Sequence, residues 1–270
     1  MFVHLRVHSE FSVSDGVNRI DDLVEHASKS SQPALAVTDQ FNLFGAIKFY
    51  QSARKMGVKP IVGAEILVQS PLNPSLQSRL LLLVTSHQGY LNLCQLLTLL
   101  WEHALPSGPQ GVPWSELILH SDGLIALSGF SAGWQGEALL SEDPAHAKAM
   151  ALELASTFPH RFYLEVQRAG RLSDEALVAA NAKLAQELGL PLVATHPVQF
   201  GTPEDHEAHE ARICIADGEI LGNPRRIRRF TSEMYFKTSQ EMQQLFEDLP
   251  DALDNTVLIA QRCNLTLSLM

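Results

Sequence analysis

The segment 2–16 sets His4-Leu5-Arg6-Val7-His8-Ser9-Glu10 ahead of Asp15-Gly16, and its residue types nearly spell a multi-metal hydrolase signature. Side chains two apart on a strand share a face, so a His two positions before His8 would bring a pair of imidazoles to one metal cluster. That position is Arg6. A guanidinium has no lone pair to donate and sets a positive charge where the cation would sit. Asp15-Gly16 reads equally well as a plain turn.

Other groupings carry residue types capable of chemistry. Asp205-His206-Glu207-Ala208-His209-Glu210 has His at helical spacing beside acidic residues, which makes a metal site conceivable. Arg225-Arg226-Ile227-Arg228-Arg229-Phe230 is the one dense basic run, a local contact for a nucleic-acid backbone or for a neighbouring domain. The chain carries a formal charge of −10, so DNA contact is expected to be local and at most indirect. Neither a Walker-type loop, a dinucleotide-binding glycine motif nor a Gly-x-Ser-x-Gly elbow occurs. His87, His103, His120, His146 and His160 read as surface or helix-end residues.

The elements that must position these groups alternate. Apolar β-rich stretches at 2–7, 34–38, 59–68, 80–85, 123–127, 162–166 and 191–195 are separated by loops and helical patterns, which predicts an α/β fold with mostly parallel strands. Seven such strands fit a (β/α) barrel short of one repeat. Apolar stripes fall at Ile20, Leu23, Val24 and Ala27, at Leu91, Leu96, Leu97 and Leu100, and at Leu177, Ala180, Leu184 and Leu188. Gly189 ends the helix over 173–188, and Pro113 opens a short one. Loops are expected at 71–78 and 105–113. Beyond about Leu221 the pattern changes to a helical tail, with helices at 239–248 and 250–262, so the chain divides into a barrel over 1–220 and an extension over 221–270. Three Cys, an odd number and widely spaced, suit reduced thiols; with no membrane span and no secretory signal, the expected compartment is cytoplasmic.

Several runs in order carry a resemblance: 2–16, Ala34-Leu35-Ala36-Val37-Thr38-Asp39 with Asn42-Leu43-Phe44-Gly45, Gly57-Val58-Lys59-Pro60-Ile61-Val62-Gly63-Ala64-Glu65, Gly89-Tyr90-Leu91-Asn92-Leu93, 123–129, Ala208-His209-Glu210, Asn255-Thr256-Val257 and Cys263-Asn264. Along almost its whole length the chain resembles the PHP (polymerase and histidinol phosphatase) domain in the form found at the amino terminus of bacterial DNA polymerase III alpha subunits. The resemblance implies a distorted seven-stranded (β/α) barrel with a short helical extension, and a metal cluster at the carboxyl ends of the strands in metal-competent members. It also implies that Ala208-His209-Glu210 belongs to a structural helix instead of a metal site.

Carried onto this chain, that cluster keeps His8, Asp15 and Glu65. It loses its other positions to Arg6, Gln40, Arg79, Phe130, Pro197 and Gln199. Arg, Phe and Pro cannot ligate a metal and Gln is a weak neutral donor, so no metal or other cofactor is expected. Asp15 and Glu65 without a cation would be costly to bury, and Arg6 or Arg79 is expected to pair with one of them. His196 lies beside the lost ligand pair with its direction unfixed.

The implied work is structural, in DNA replication. The domain would stabilise the polymerase domain of the same chain and dock the epsilon proofreading exonuclease, with no membrane contact and no polymerase active site of its own. The alternative is a metal-dependent phosphoesterase, a phosphatase or pyrophosphatase, with a reduced metal site at His8, Asp15 and Glu65.

Overall fold

The computed structural model describes residues 1–102, 104–106 and 108–268; His103, and Ser107 within the loop expected over 105–113, lie outside them. In chain order the regular elements are α1 (Ile20–Lys29), β1 (Ala34–Gln40), α2 (Ala46–Lys55), β2 (Lys59–Gln69), β3 (Gln77–Val84), α3 (His87–Glu102), α4 (Trp114–Leu119), β4 (Leu124–Leu127), α5 (Trp134–Leu140), α6 (Pro144–Thr157), β5 (Phe162–Val166), α7 (Asp174–Leu188), β6 (Leu192–Ala194), α8 (His206–Asp217), α9 (Ser239–Leu245) and α10 (Pro250–Arg262).

The strands hydrogen-bond in chain order as one curled six-stranded sheet. Alternate side chains serve its two faces. Leu81 and Leu83 of β3, with Ile125 and Leu127 of β4, fill the inner side beside Val3 and Leu5. Leu80, Leu82 and Val84, with Leu124 and Ala126, pack outward against Leu93, Leu96, Leu97 and Leu100 of α3. Apolar demand on both faces explains why these strands read as unbroken hydrophobic runs.

Three of the five strand pairings are parallel, as expected, but β3 runs antiparallel to both β2 and β4. The connection over 70–76 is far shorter than the dozen or so residues a parallel crossover needs, and it forces a hairpin. The segment 2–7, expected as a strand, forms no ladder. It lies between β1 and residue 198, through Ala36 N–H to the His4 carbonyl, Thr38 N–H to the Val7 carbonyl, and His8 N–H to the Val198 carbonyl. In that position it bridges the two ends of the curled sheet.

Helices follow the expected stripes with two departures: on α3 Leu93 is buried whereas Leu91 is 46% exposed, and on α7 Val178 and Ala185 join Leu177 and Leu184 while Ala180 and Leu188 are half-buried. Gly189 takes the left-handed conformation that stops α7, and Pro113 caps α4. α9 opens with a capping box between Thr238 and Glu241, but ends at Leu245 rather than at 248. The tail is woven into the barrel. Ile259, Ala260 and Cys263 seal the inner core, and Thr256 Oγ1 accepts from Val3 N–H at 3.1 Å. Arg168 holds Asp248 at 2.6 Å and the Leu245 carbonyl at 2.7 Å. Cys214 and Cys263 are buried, Cys94 is half-buried, and all are free thiols.

Candidate functional site

Strand ends gather the polar residues in one place. A cavity of about 310 Å³ is lined by Arg6, His8, Asp15, Gln40, Glu65, Arg79, Pro197 and Gln199 among others. These are eight of the nine positions at which the resemblance places the family's metal cluster. Phe130 is the exception: Gly129 (φ +84) and Phe130 (φ +48) both turn left-handed after β4, and the ring is spent on an apolar cluster with Val166 and Leu177. Gly129 is required there, since a Cβ would fall 2.7 Å from the Arg79 carbonyl oxygen.

Glu65, wholly buried on β2, is the hub. Its Oε1 lies 2.7 Å from Arg6 Nη2 and 2.8 Å from His8 Nε2, and its Oε2 lies 3.2 Å from Arg79 Nη1. Both guanidiniums therefore pair with the carboxylate. Burial alone would raise the Glu65 pKa, but Arg6, His8 and Arg79 outweigh it and hold the carboxyl well below the usual range.

His8 bridges two acids. Its Nδ1 stands 3.2 Å from Asp15 Oδ1, and burial, which disfavours its charge, is overcome by Asp15 and Glu65, so its pKa is pushed up to about 10. At neutral pH the ring is an imidazolium, donating from both nitrogens. The Gln199 amide lies 3.2 Å from Nδ1, and a donating Nδ1 requires the amide oxygen to face it. Gln40 donates to Asp15 Oδ2 at 2.6 Å.

Glu165, in the middle of β5, completes the cluster and was not anticipated from the sequence. It is fully buried, pairs with Arg6 Nη1 at 3.3 Å, and accepts from Thr195 Oγ1 at 2.7 Å, from Gln167 and from the Gly129 N–H. The available signal was a lone carboxylate in the apolar run Phe-Tyr-Leu-Glu-Val, which needs a buried partner. Asp39 is a second builder that spacing alone does not reveal. It takes Ser9 N–H at 2.6 Å, Ser9 Oγ at 2.7 Å and Ser12 Oγ at 2.8 Å, which shapes the loop that delivers Asp15. Gly16 fits only as glycine, because a Cβ would meet the Ser9 carbonyl at 1.7 Å.

The remaining candidates lie outside this chemistry. His209 is a buried structural residue whose Nε2–H donates to the Asp15 carbonyl at 3.0 Å. His196 turns away from the cavity, donating to the Glu233 carbonyl at 2.8 Å. The basic run is divided: Arg226 pairs with Glu210 and Arg229 with Asp217, while Arg225 and Arg228 are exposed. His87 and His160 are exposed, and His120 and His146 are half-buried at helix ends.

A cluster of divalent metals does not fit this donor set. Both nitrogens of His8 are engaged, Arg6 and Arg79 stand on Glu65, and among the described residues no group of three His, Cys, Asp or Glu is arranged to hold an ion.

Fold and site together define a barrel of the PHP kind: the PHP domain family matches residues 4–169, and the chain belongs to it. It is 44% identical to DNA polymerase III subunit alpha of Pseudomonas aeruginosa and 40% identical to that of Escherichia coli K12, in both cases over 99% of this chain. The similarity is to the amino-terminal region of those subunits, and the chain spans 23% of their length. Among solved structures, an amidohydrolase from Chromobacterium violaceum with bound sulfate and no metal shares the fold, with a TM-score of 0.54 at 14% identity over 74% of this chain and 88% of that one. Among the described residues, no helix is long and apolar enough to cross a membrane.

Proposed function

We propose that this chain is the PHP portion of a replicative DNA polymerase subunit and works as a metal-free structural module. It stabilises the polymerase domain that follows it and docks the epsilon proofreading exonuclease. The observation that carries the reading is the occupancy of Glu65 by Arg6, Arg79 and protonated His8, which supplies from side chains the positive charge that metals supply elsewhere in the family. The buried cluster balances its carboxylates with guanidinium groups, which supports its use as a base for partners. Arg225 and Arg228 are the candidate contacts toward a neighbouring domain or, indirectly, DNA.

Metal content after purification without added divalent salts, together with turnover of a phosphomonoester and of pyrophosphate, tests the metal-free half. We expect substoichiometric metal, no turnover and a melting temperature unmoved by EDTA. Two or more retained divalent ions with hydrolysis that vanishes in Glu65→Ala would establish the phosphoesterase instead. Docking is tested by co-elution with an epsilon exonuclease, which we expect from the chain alone; failure to co-elute removes that half.

A further inference from the structure

Arg6 reaches two wholly buried carboxylates on strands that are not neighbours. Glu65 belongs to β2 and Glu165 to β5, with β3 and β4 between them in the sheet, and the guanidinium enters from the bridging segment 2–8. Nη2 lies 2.7 Å from Glu65 and Nη1 3.3 Å from Glu165, so one planar cation takes one acid with each terminal nitrogen.

We propose that Arg6 is the resident cation of a carboxylate clamp, Glu65–Arg6–Glu165, that ties opposite walls of the barrel, and that removing its side chain opens a receptor for a dissolved guanidinium-type cation. This rests on the metal-free reading above and deepens it. Each acid is held by other groups: Glu65 by Arg79 and His8, Glu165 by Thr195, Gln167 and the Gly129 N–H. Both therefore keep their places when the guanidinium goes, and the cavity left behind is preorganised for its shape. The span admits two separate nitrogens at hydrogen-bonding distance. A planar guanidinium offers one N–H to each acid, a directional match that a spherical ion does not reproduce.

Melting temperatures of the wild-type chain, Arg6→Ala, Glu165→Gln and the double variant test the clamp, each in EDTA and with millimolar guanidinium, tetramethylammonium or Mn²⁺. Arg6→Ala should melt several degrees lower and recover part of the loss with guanidinium alone. Adding Glu165→Gln should restore stability to Arg6→Ala, although the same change destabilises the wild type, and should abolish the rescue. Additive losses, or recovery by tetramethylammonium or Mn²⁺ equal to that by guanidinium, overturn the clamp. If Arg6→Ala does not fold, Arg6→Lys replaces it: one ammonium cannot serve both acids, so Glu165→Gln should stabilise this variant, and a further loss overturns the proposal. A wild-type melting temperature that falls in EDTA or rises with Mn²⁺ defeats the metal-free reading instead, whatever Arg6→Ala does.

Discussion

His8 shows how one ring sets a pH response. Its folded pKa of about 10 lies above the ordinary value of 6.5, so the protonated ring contributes its full stabilisation below about pH 6.5 and loses it as pH rises through 10. We therefore expect the stability gap between wild type and His8→Asn, measured by urea denaturation, to be constant below neutrality and to shrink steadily in alkali; a gap that widens there would contradict the imidazolium. Much of this cavity was legible in the sequence. Strand alternation places Arg6 and His8 on one face, and both open into the cavity. Phe130 was not legible in the same way, because two successive left-handed residues redirect a side chain that its sequence neighbours would send inward. Glu165 escaped because nothing local says which cation a buried acid will meet across 159 residues of chain.

Among elements, the strap over 233–238 depends on two neutral histidines. His4 Nε2–H donates to the Lys237 carbonyl at 2.7 Å and His196 Nε2–H to the Glu233 carbonyl at 2.8 Å, while the Nδ1 atoms of both rings are buried without a partner. Burial lowers the His4 pKa to about 4 and lowers that of His196 well below its usual value. The unfolded chain takes up these protons first, so stability should fall as pH drops from about 6.5 toward 4. His4→Gln, which keeps a donor and loses the titration, should flatten that limb; an unchanged acid slope would show that other groups cause it. Strand direction illustrates what was and was not readable here. The short, helix-free connection before β3 contained the information for a hairpin, yet β/α alternation elsewhere argued for parallel pairing. The segment 2–7 has strand composition, but both its edges are committed to isolated contacts with residues far along the chain, which composition does not reveal.

For the molecule as a whole, α10 is a stopper. Ile259 is fully buried against the inner core, and Lys59 reaches the Ala260 carbonyl at 2.7 Å from β2. Ile259→Ala should cost about 2–5 kcal/mol in chemical denaturation, as for other buried truncations. A loss well below 1 kcal/mol would mean that the stopper is loose and that the tail rides on the barrel instead of completing it.

The bridging segment also bears on how the molecule is made. Ribosomes emit low residue numbers first, so Phe2, Val3 and Leu5, all with no exposure in the finished protein, emerge long before Val198 and Thr256 exist to cover them. Until then its backbone has β1 as its partner on one edge and an open edge on the other, and contacts spanning so much sequence form slowly. Such a polypeptide invites chaperone custody during translation.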